Sequence, residues 1–355
     1  MTTARKGARL LYLFSGLLAA TTPSSAQSLD HEGPAGPYLM FSGLLDVALG
    51  RTSNQPGAGA RTTLLEEHAS GSTGSIVRWR GREDLGDGLY GGFWLEGALL
   101  ADTGTVPAPF WNRASAVYLG GSWGEIALGE LRSPTYTNIA FHDPVGNNGY
   151  LAAMKLVSAL GSAVPLFQNV NAFTYFLPDK LGGFYGHVQL TAGEGQANQR
   201  YRGFQFGHAS DSFDLALAHG VTQTTSGSPD FRTTNLAGAV NMGGTRLFGI
   251  LLRSDYGSQS ERMILAGLEI PVGADQIKLS YSAAHFSGGL LQGSRSTAPG
   301  LQLVHFLNKR TGIYASAIKL RNVGHTAFKV GPSANAGSAE GGTSTGFDAG
   351  IRMAF

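Results

Sequence analysis

The strongest constraint on the fold lies in residues 347–355, which read F-D-A-G-I-R-M-A-F. Phe347, Ala349, Ile351, Met353 and Phe355 fall on one side, and Asp348, Gly350, Arg352 and Ala354 on the other. A period of two describes a strand with one apolar face and one wet face. The chain ends on an aromatic with no polar tail. That is expected if a last strand closes a barrel against the first and its terminal ring sits in a membrane-interface girdle. The same alternation recurs upstream. Ile277, Leu279, Tyr281 and Ala283 oppose Gln276, Lys278, Ser280 and Ser282, while Phe213, Leu215 and Leu217 alternate with Asp214, Ala216 and Ala218.

Connections between these segments also alternate, in length. Short ones include 84–88, 120–124, 179–183, 211–212, 243–244, 274–275 and 308–310. Long polar or glycine-rich stretches occupy 51–73, 102–112, 133–167, 224–231, 288–299 and 326–346. Tight turns at one end and long loops at the other predict an all-β chain, a transmembrane antiparallel β-barrel of about 16 strands. Closure matters because an open sheet edge in lipid leaves backbone groups unpaired at a cost of several kcal/mol each. A secreted soluble solenoid or sandwich is the alternative, but no fixed short repeat period supports a solenoid.

Residues 1–26 are expected to be a signal peptide, with the barrel domain at 27–355. Arg5, Lys6 and Arg9 precede a short apolar run, Leu10–Ala20, and Ser24-Ser25-Ala26 supplies small residues for cleavage. That run is far shorter than the ~20 residues of a spanning helix. Removing the three basic residues takes the formal charge of +2 to −1 (2 minus 3), which argues against nucleic acid as a partner. With no cysteine, disulfides and thiol chemistry are excluded. Fifty-two glycines and only 14% charged residues suit alternating strands.

Several motifs then resemble one family. The segments 41–46 (FSGLLD), 80–88 (RGREDLGDG), 93–96 (FWLE), 112–129 (NRASAVYLGGSWGEIALG), 308–316 (NKRTGIYAS) and 350–355 (GIRMAF) appear in the family's order. They are similar to those of a Gram-negative general diffusion porin. The resemblance implies a bacterial outer-membrane channel, usually a homotrimer surrounded by outer-membrane lipid, for small hydrophilic solutes and ions. It implies no cofactor. It also implies that the long third loop, 133–167, folds inward to narrow the pore, where 150–160 could form a helical turn or two. His142 and Asp143 lie in that loop, Asp143 as its only carboxylate.

Alternation names a lumen face. If Ile76, Arg78, Arg80 and Arg82 share a side, Val77 and Trp79 point to lipid or a neighbouring subunit. An arginine facing hydrocarbon costs ~2–4 kcal/mol near the midplane, so these three face water. The resemblance adds Glu96 and Arg113 as wall residues. It also marks departures: Ile76 and Gln168 stand at positions where the family commonly has arginine, Glu130 replaces the arginine of the usual LGRQ, and the loop lacks the PEFG signature. A weak anion bias from Arg78, Arg80, Arg82 and Arg113 is therefore expected, unless Glu83, Asp84 or Glu96 pairs with them and quenches the field. A solute-specific channel with the same architecture remains open. A barrel hydrolase built on His142-Asp143 finds little support, with no G-x-S-x-G elbow and no metal-binding spacing such as H-E-x-x-H. A surface adhesin would need its function in loops, and these contain no repeats.

Overall fold

The computed structural model describes residues 36–57, 60–68, 71–179, 181–331 and 339–355. The expected signal peptide and the stretch up to residue 35 lie outside these. The first strand, β1 (Tyr38–Gly57), is followed by β2 (Ala60–His68), β3 (Ile76–Gly86), β4 (Leu89–Ala98), β5 (Ala114–Gly121) and β6 (Gly124–Arg132). A helix, α1 (Pro134–Phe141), precedes β7 (Gln168–Phe176), β8 (Phe184–Thr191), β9 (Arg200–Ala209), β10 (Phe213–Gln223) and β11 (Phe231–Met242). The remainder comprises β12 (Thr245–Tyr256), β13 (Gln259–Val272), β14 (Asp275–Ser287), β15 (Arg295–Phe306), β16 (Thr311–Val323) and β17 (Thr343–Ala354).

From β3 onward every strand pairs antiparallel with its sequence neighbour, and β17 closes the ring against β1, with Leu45 opposite Met353 and Leu49 opposite Ala349. The later part of β1 also pairs with β2 and its early part with β3. β2 and β3 are thus two pieces of one interrupted strand, and the barrel has 16 strands. This corrects the expectation of a loop over 51–73: β1 runs on to Gly57 and a hairpin returns through β2. The interruption is organised by Asp46, a fully buried carboxylate on β1. Its Oδ2 accepts the backbone N–H of Ser72 (2.8 Å) and of Thr73 (2.6 Å), while Tyr314 Oη donates to Oδ1 (2.5 Å).

The alternation at the chain's end appears as predicted. Phe347, Ile351 and Met353 face outward, each more than half exposed, and Asp348 faces inward and is fully buried. Leu215 and Leu217 on β10, Leu251 on β12 and Ile264 on β13 continue this apolar outer surface. Water cannot satisfy backbone groups in hydrocarbon, and the closed ladder leaves none of these strands with a free edge.

The third loop runs from Ser133 to Phe167, bounded by β6 and β7 as expected, and it folds into the barrel. Its first element is α1, where Ser133 Oγ accepts the Tyr136 N–H (3.2 Å) and Pro134 occupies the first turn. A 3-10 turn follows at Ala153–Leu156. Ile139, Val145, Leu151, Leu156 and Leu160 of the loop join inward-facing Ile250, Leu252, Met263, Leu265 and Leu320 of the far wall in one buried cluster. Glycines on the wall make room. A Cβ on Gly267 would lie 2.7 Å from Pro144 Cγ, and one on Gly300 would lie 2.6 Å from Leu151 Cγ.

Candidate functional site

Two surfaces meet in the lumen: an arginine wall on β3–β6 and the docked third loop. On β3, Arg78, Arg80 and Arg82 alternate with outward-facing Trp79, as the period of two demands. The next strand supplies aromatic platforms and one acid. Arg80 lies 4.0 Å from the centroid of the Trp94 ring and Arg82 4.1 Å from that of Tyr90. Such stacking holds a guanidinium in place without cancelling its charge. Arg82 also approaches Asp84 at 3.3 Å.

Glu96 is the centre of the wall. Arg78 Nε donates to its Oε2 (2.7 Å) and Arg113 Nε to its Oε1 (2.8 Å), and Arg132 Nη2 lies 3.6 Å from the same Oε1. The carboxylate side chain is only 1% exposed, whereas Arg113 and Arg132 are 29% and 32% exposed. The acid thus sits behind the guanidiniums. Three positive charges against one negative leave this cluster at +2 (3 minus 1).

Sequence reasoning missed Arg132. It compared Glu130 with the family's arginine position, but a register shift between Gly129 and Leu131 re-aims the end of β6. Gly129 has a φ of +141°, a conformation that favours glycine. The signal available in the sequence was a basic residue ending a strand just before Ser133-Pro134. Glu130 itself accepts from Gln168 Nε2 (3.0 Å), and that amide also donates to Asn112 O. These two residues, expected separately as wall positions, form a polar clasp across β6 and β7.

His142 and Asp143 are both buried in the loop, and their partners lie on β10 and within the loop itself. His142 Nδ1 is 2.8 Å from Asn138 O, and its Nε2 is 3.4 Å from Asp214 Oδ1. Asp143 accepts the N–H of Val145 (2.9 Å) and of Ala153 (2.7 Å). Burial nevertheless pushes its carboxyl up to about 6, against those two bonds and the nearby Lys278 charge.

Asn138 ties α1 to the wall, donating to Ala216 O (3.0 Å) and to Asn235 Oδ1 (2.7 Å). Lys278 Nζ donates to Pro144 O (2.8 Å), and Glu261 Oε2 accepts the Ser158 N–H (3.0 Å). Sequence reasoning looked for acids opposite the arginines only in the loop region. The wall carries Asp46, Asp214 and Glu261 as well, each buried and hydrogen-bonded to the barrel or the loop. Among the described residues, no group of three or more His, Cys, Asp or Glu could hold a metal ion.

Comparison with known proteins agrees with this geometry. Residues 15–325 match the model of the Gram-negative porin family, and the chain belongs to that family. It is 28% identical over 360 residues to outer membrane porin protein 32 of Delftia acidovorans, covering 96% of this chain and 97% of that protein. Among solved structures, an anion-selective porin from Comamonas acidovorans superposes with a TM-score of 0.81 at 26% identity, covering 90% of this chain and 100% of the other. Outer-membrane-expressed OmpT of Vibrio cholerae shares the fold at 13% identity, with a TM-score of 0.66 over 91% of this chain and 99% of its own. The protein is an outer-membrane channel for the passive diffusion of small hydrophilic solutes and ions.

Proposed function

We propose that this porin favours small hydrophilic anions, that the arginine wall sets the preference, and that it works as a homotrimer with no catalytic step. The observation that carries the reading is the layering at Glu96, where half-buried guanidiniums front the lumen and the one carboxylate lies behind them. A passing anion meets the positive layer first. Both alternatives drawn from the sequence contribute, since Arg78 and Arg113 are paired but they share a single acid. Arg78, Arg80, Arg82, Arg113 and Arg132 form the basic side of the eyelet, with Glu96 as their brace. Glu130 and Gln168 fix its edge, and the loop containing His142 and Asp143 limits its size. Charged walls of this sort bias which ions enter a water-filled pore. Support for anion preference and for trimers also comes from relatives: one structural match is described as anion-selective, and OmpT as a trimer form.

The test is the reversal potential of the refolded mature protein in planar bilayers under a potassium chloride gradient. The wild type is expected to favour chloride, and Arg78→Ala with Arg113→Ala is expected to move the potential toward zero. An unchanged potential in that double variant defeats the assignment of the wall. Chemical cross-linking in detergent, giving a ladder that ends at three subunits, tests the assembly.

A further inference from the structure

The outer surface carries a second set of arginines that the pore does not use. On β12–β16 the outward-facing columns are apolar until they near the loop end, where they turn basic. Leu251 is followed by Arg253, and Arg262 precedes Ile264. Beyond Tyr281 and Ala283 comes His285, Arg295 opens β15, and Lys319 and Arg321 occupy the same side of β16. Their sequence neighbours Leu252, Met263, Ala284, Phe286, Ser296 and Leu320 are buried and face inward, which fixes the direction.

The registers place these residues side by side. Arg253 is directly opposite Arg262, Arg262 opposite His285, and His285 opposite Arg295. Arg321 pairs with Thr297, two residues from Arg295 and so on the diagonal. Like charges directly across a ladder repel and destabilise the sheet. On this stretch, among the described residues, one carboxylate answers them: Asp255, which accepts from Arg253 Nε and Nη2 at 2.8 Å each. A row of arginines directly above an apolar surface cannot sit in hydrocarbon, but it is tolerated at the headgroup level. That level, at the loop end, belongs to the outer leaflet.

We propose that the band of Arg253, Arg262, His285, Arg295 and Arg321 binds the phosphate groups of an anionic glycolipid in the outer leaflet. Guanidinium forks match phosphate oxygens in bidentate geometry. A phosphate lying between adjacent strands would offset the cross-strand repulsion, which explains why the sheet carries that repulsion at all. The apolar columns beneath offer the acyl chains a surface on the same strands.

The test uses the full refolded chain in a zwitterionic detergent. Bis-phosphorylated lipid A is titrated in native mass spectrometry, alongside the same lipid stripped of its phosphates and alongside inorganic phosphate alone. The phosphorylated lipid is expected to bind, and R262Q with R295Q is expected to weaken it about 25-fold, about fivefold per arginine. Single-channel conductance of that variant should match the wild type, because neither residue faces the lumen. Three results overturn the proposal: equal binding by the variant, equal binding of the phosphate-free lipid, or full displacement of the lipid by millimolar inorganic phosphate, which would make the band a free-anion site. The comparison of the two lipids needs no variant, so it stands even if the substituted protein refolds poorly.

Discussion

At the scale of single residues, Glu96 and Asp143 show one residue class put to two uses. Glu96 is held ionised among three guanidiniums, and Glu96→Gln would remove the negative charge while keeping one acceptor oxygen. At a separation of about 8 Å in water a unit charge is worth about 0.5 kcal/mol, and it acts with opposite sign on anions and cations. The chloride-to-potassium permeability ratio is therefore expected to rise about fivefold in dilute salt, measured by reversal potential. The same change leaves guanidiniums without their brace, so the folded barrel should lose about 1–3 kcal/mol, seen as a lower temperature of heat modification. A ratio that falls would mean Glu96 does not face the permeating ions through its arginines. Asp143 behaves differently. Burial raises its carboxyl from 3.8 to about 6, so between these values the docked loop binds a proton that the undocked loop releases. Docking is then favoured as pH falls from 7 toward 4, and the advantage is lost as pH rises through about 6. Protease cleavage within the third loop should slow over that window. Asp143→Asn, which keeps an acceptor for the Val145 and Ala153 amides, should flatten this dependence; an unaltered slope assigns it to another group.

At the scale of elements, the third loop is a ligand of its own barrel. It is bound by Asn138 at β10 and β11, Pro144 at β14, and Leu151 against the space left by Gly300. Gly300→Leu fills that space, and since packed interiors do not absorb such volume, the loop should swing away from the wall. The expected readout is a changed single-channel conductance and faster loop proteolysis, with the barrel still heat-modifiable. Conductance and proteolysis identical to wild type would mean the loop is held elsewhere. The sequence revealed much of this level and missed definite parts of it. Alternation assigned the inward and outward sides of β3, β10, β14 and β17, because the side-chain period in a strand is fixed by geometry. The limits of the third loop were legible from the loss of that alternation at Ser133 and its return at Gln168. What failed were features set by contacts distant in sequence. The hairpin through β2 was read as loop because 51–73 is a largely polar stretch without clean alternation. The strand interruption depends on Asp46 reaching residues 26 and 27 positions away. α1 carried a local signal, a capping serine before a first-turn proline, inside the stretch 133–167 that was assigned as loop. The helical turn expected within 150–160 is present, as one 3-10 turn at Ala153–Leu156.

At the scale of the whole molecule, charge is sorted by position. Buried acids such as Asp214 and Glu261 are hydrogen-bonded to the barrel or the loop. Arg113 and Arg132 of the arginine cluster keep exposed edges, proposed above to line the path of solutes, and the second basic set is proposed to face the leaflet. An overall charge near neutrality therefore conceals two positive surfaces, which is why composition alone could not set the sign of selectivity. The eyelet field reaches ions through water, so salt screens it: the screening length is about 10 Å at 0.1 M and about 3 Å at 1 M. Anion preference should accordingly be largest in dilute salt and decline toward that of a neutral pore near molar concentration. The Glu96→Gln variant should start higher and converge on the wild type as salt rises. Size exclusion by the docked loop does not depend on charge, so the cutoff for neutral solutes, followed by liposome swelling, should stay constant across the same series. If selectivity held steady while salt rose tenfold, the preference would have to come from an unscreened binding site in direct contact with the ion. The arginine wall would then act as a solute-binding surface of a specific channel rather than as a field across a general one.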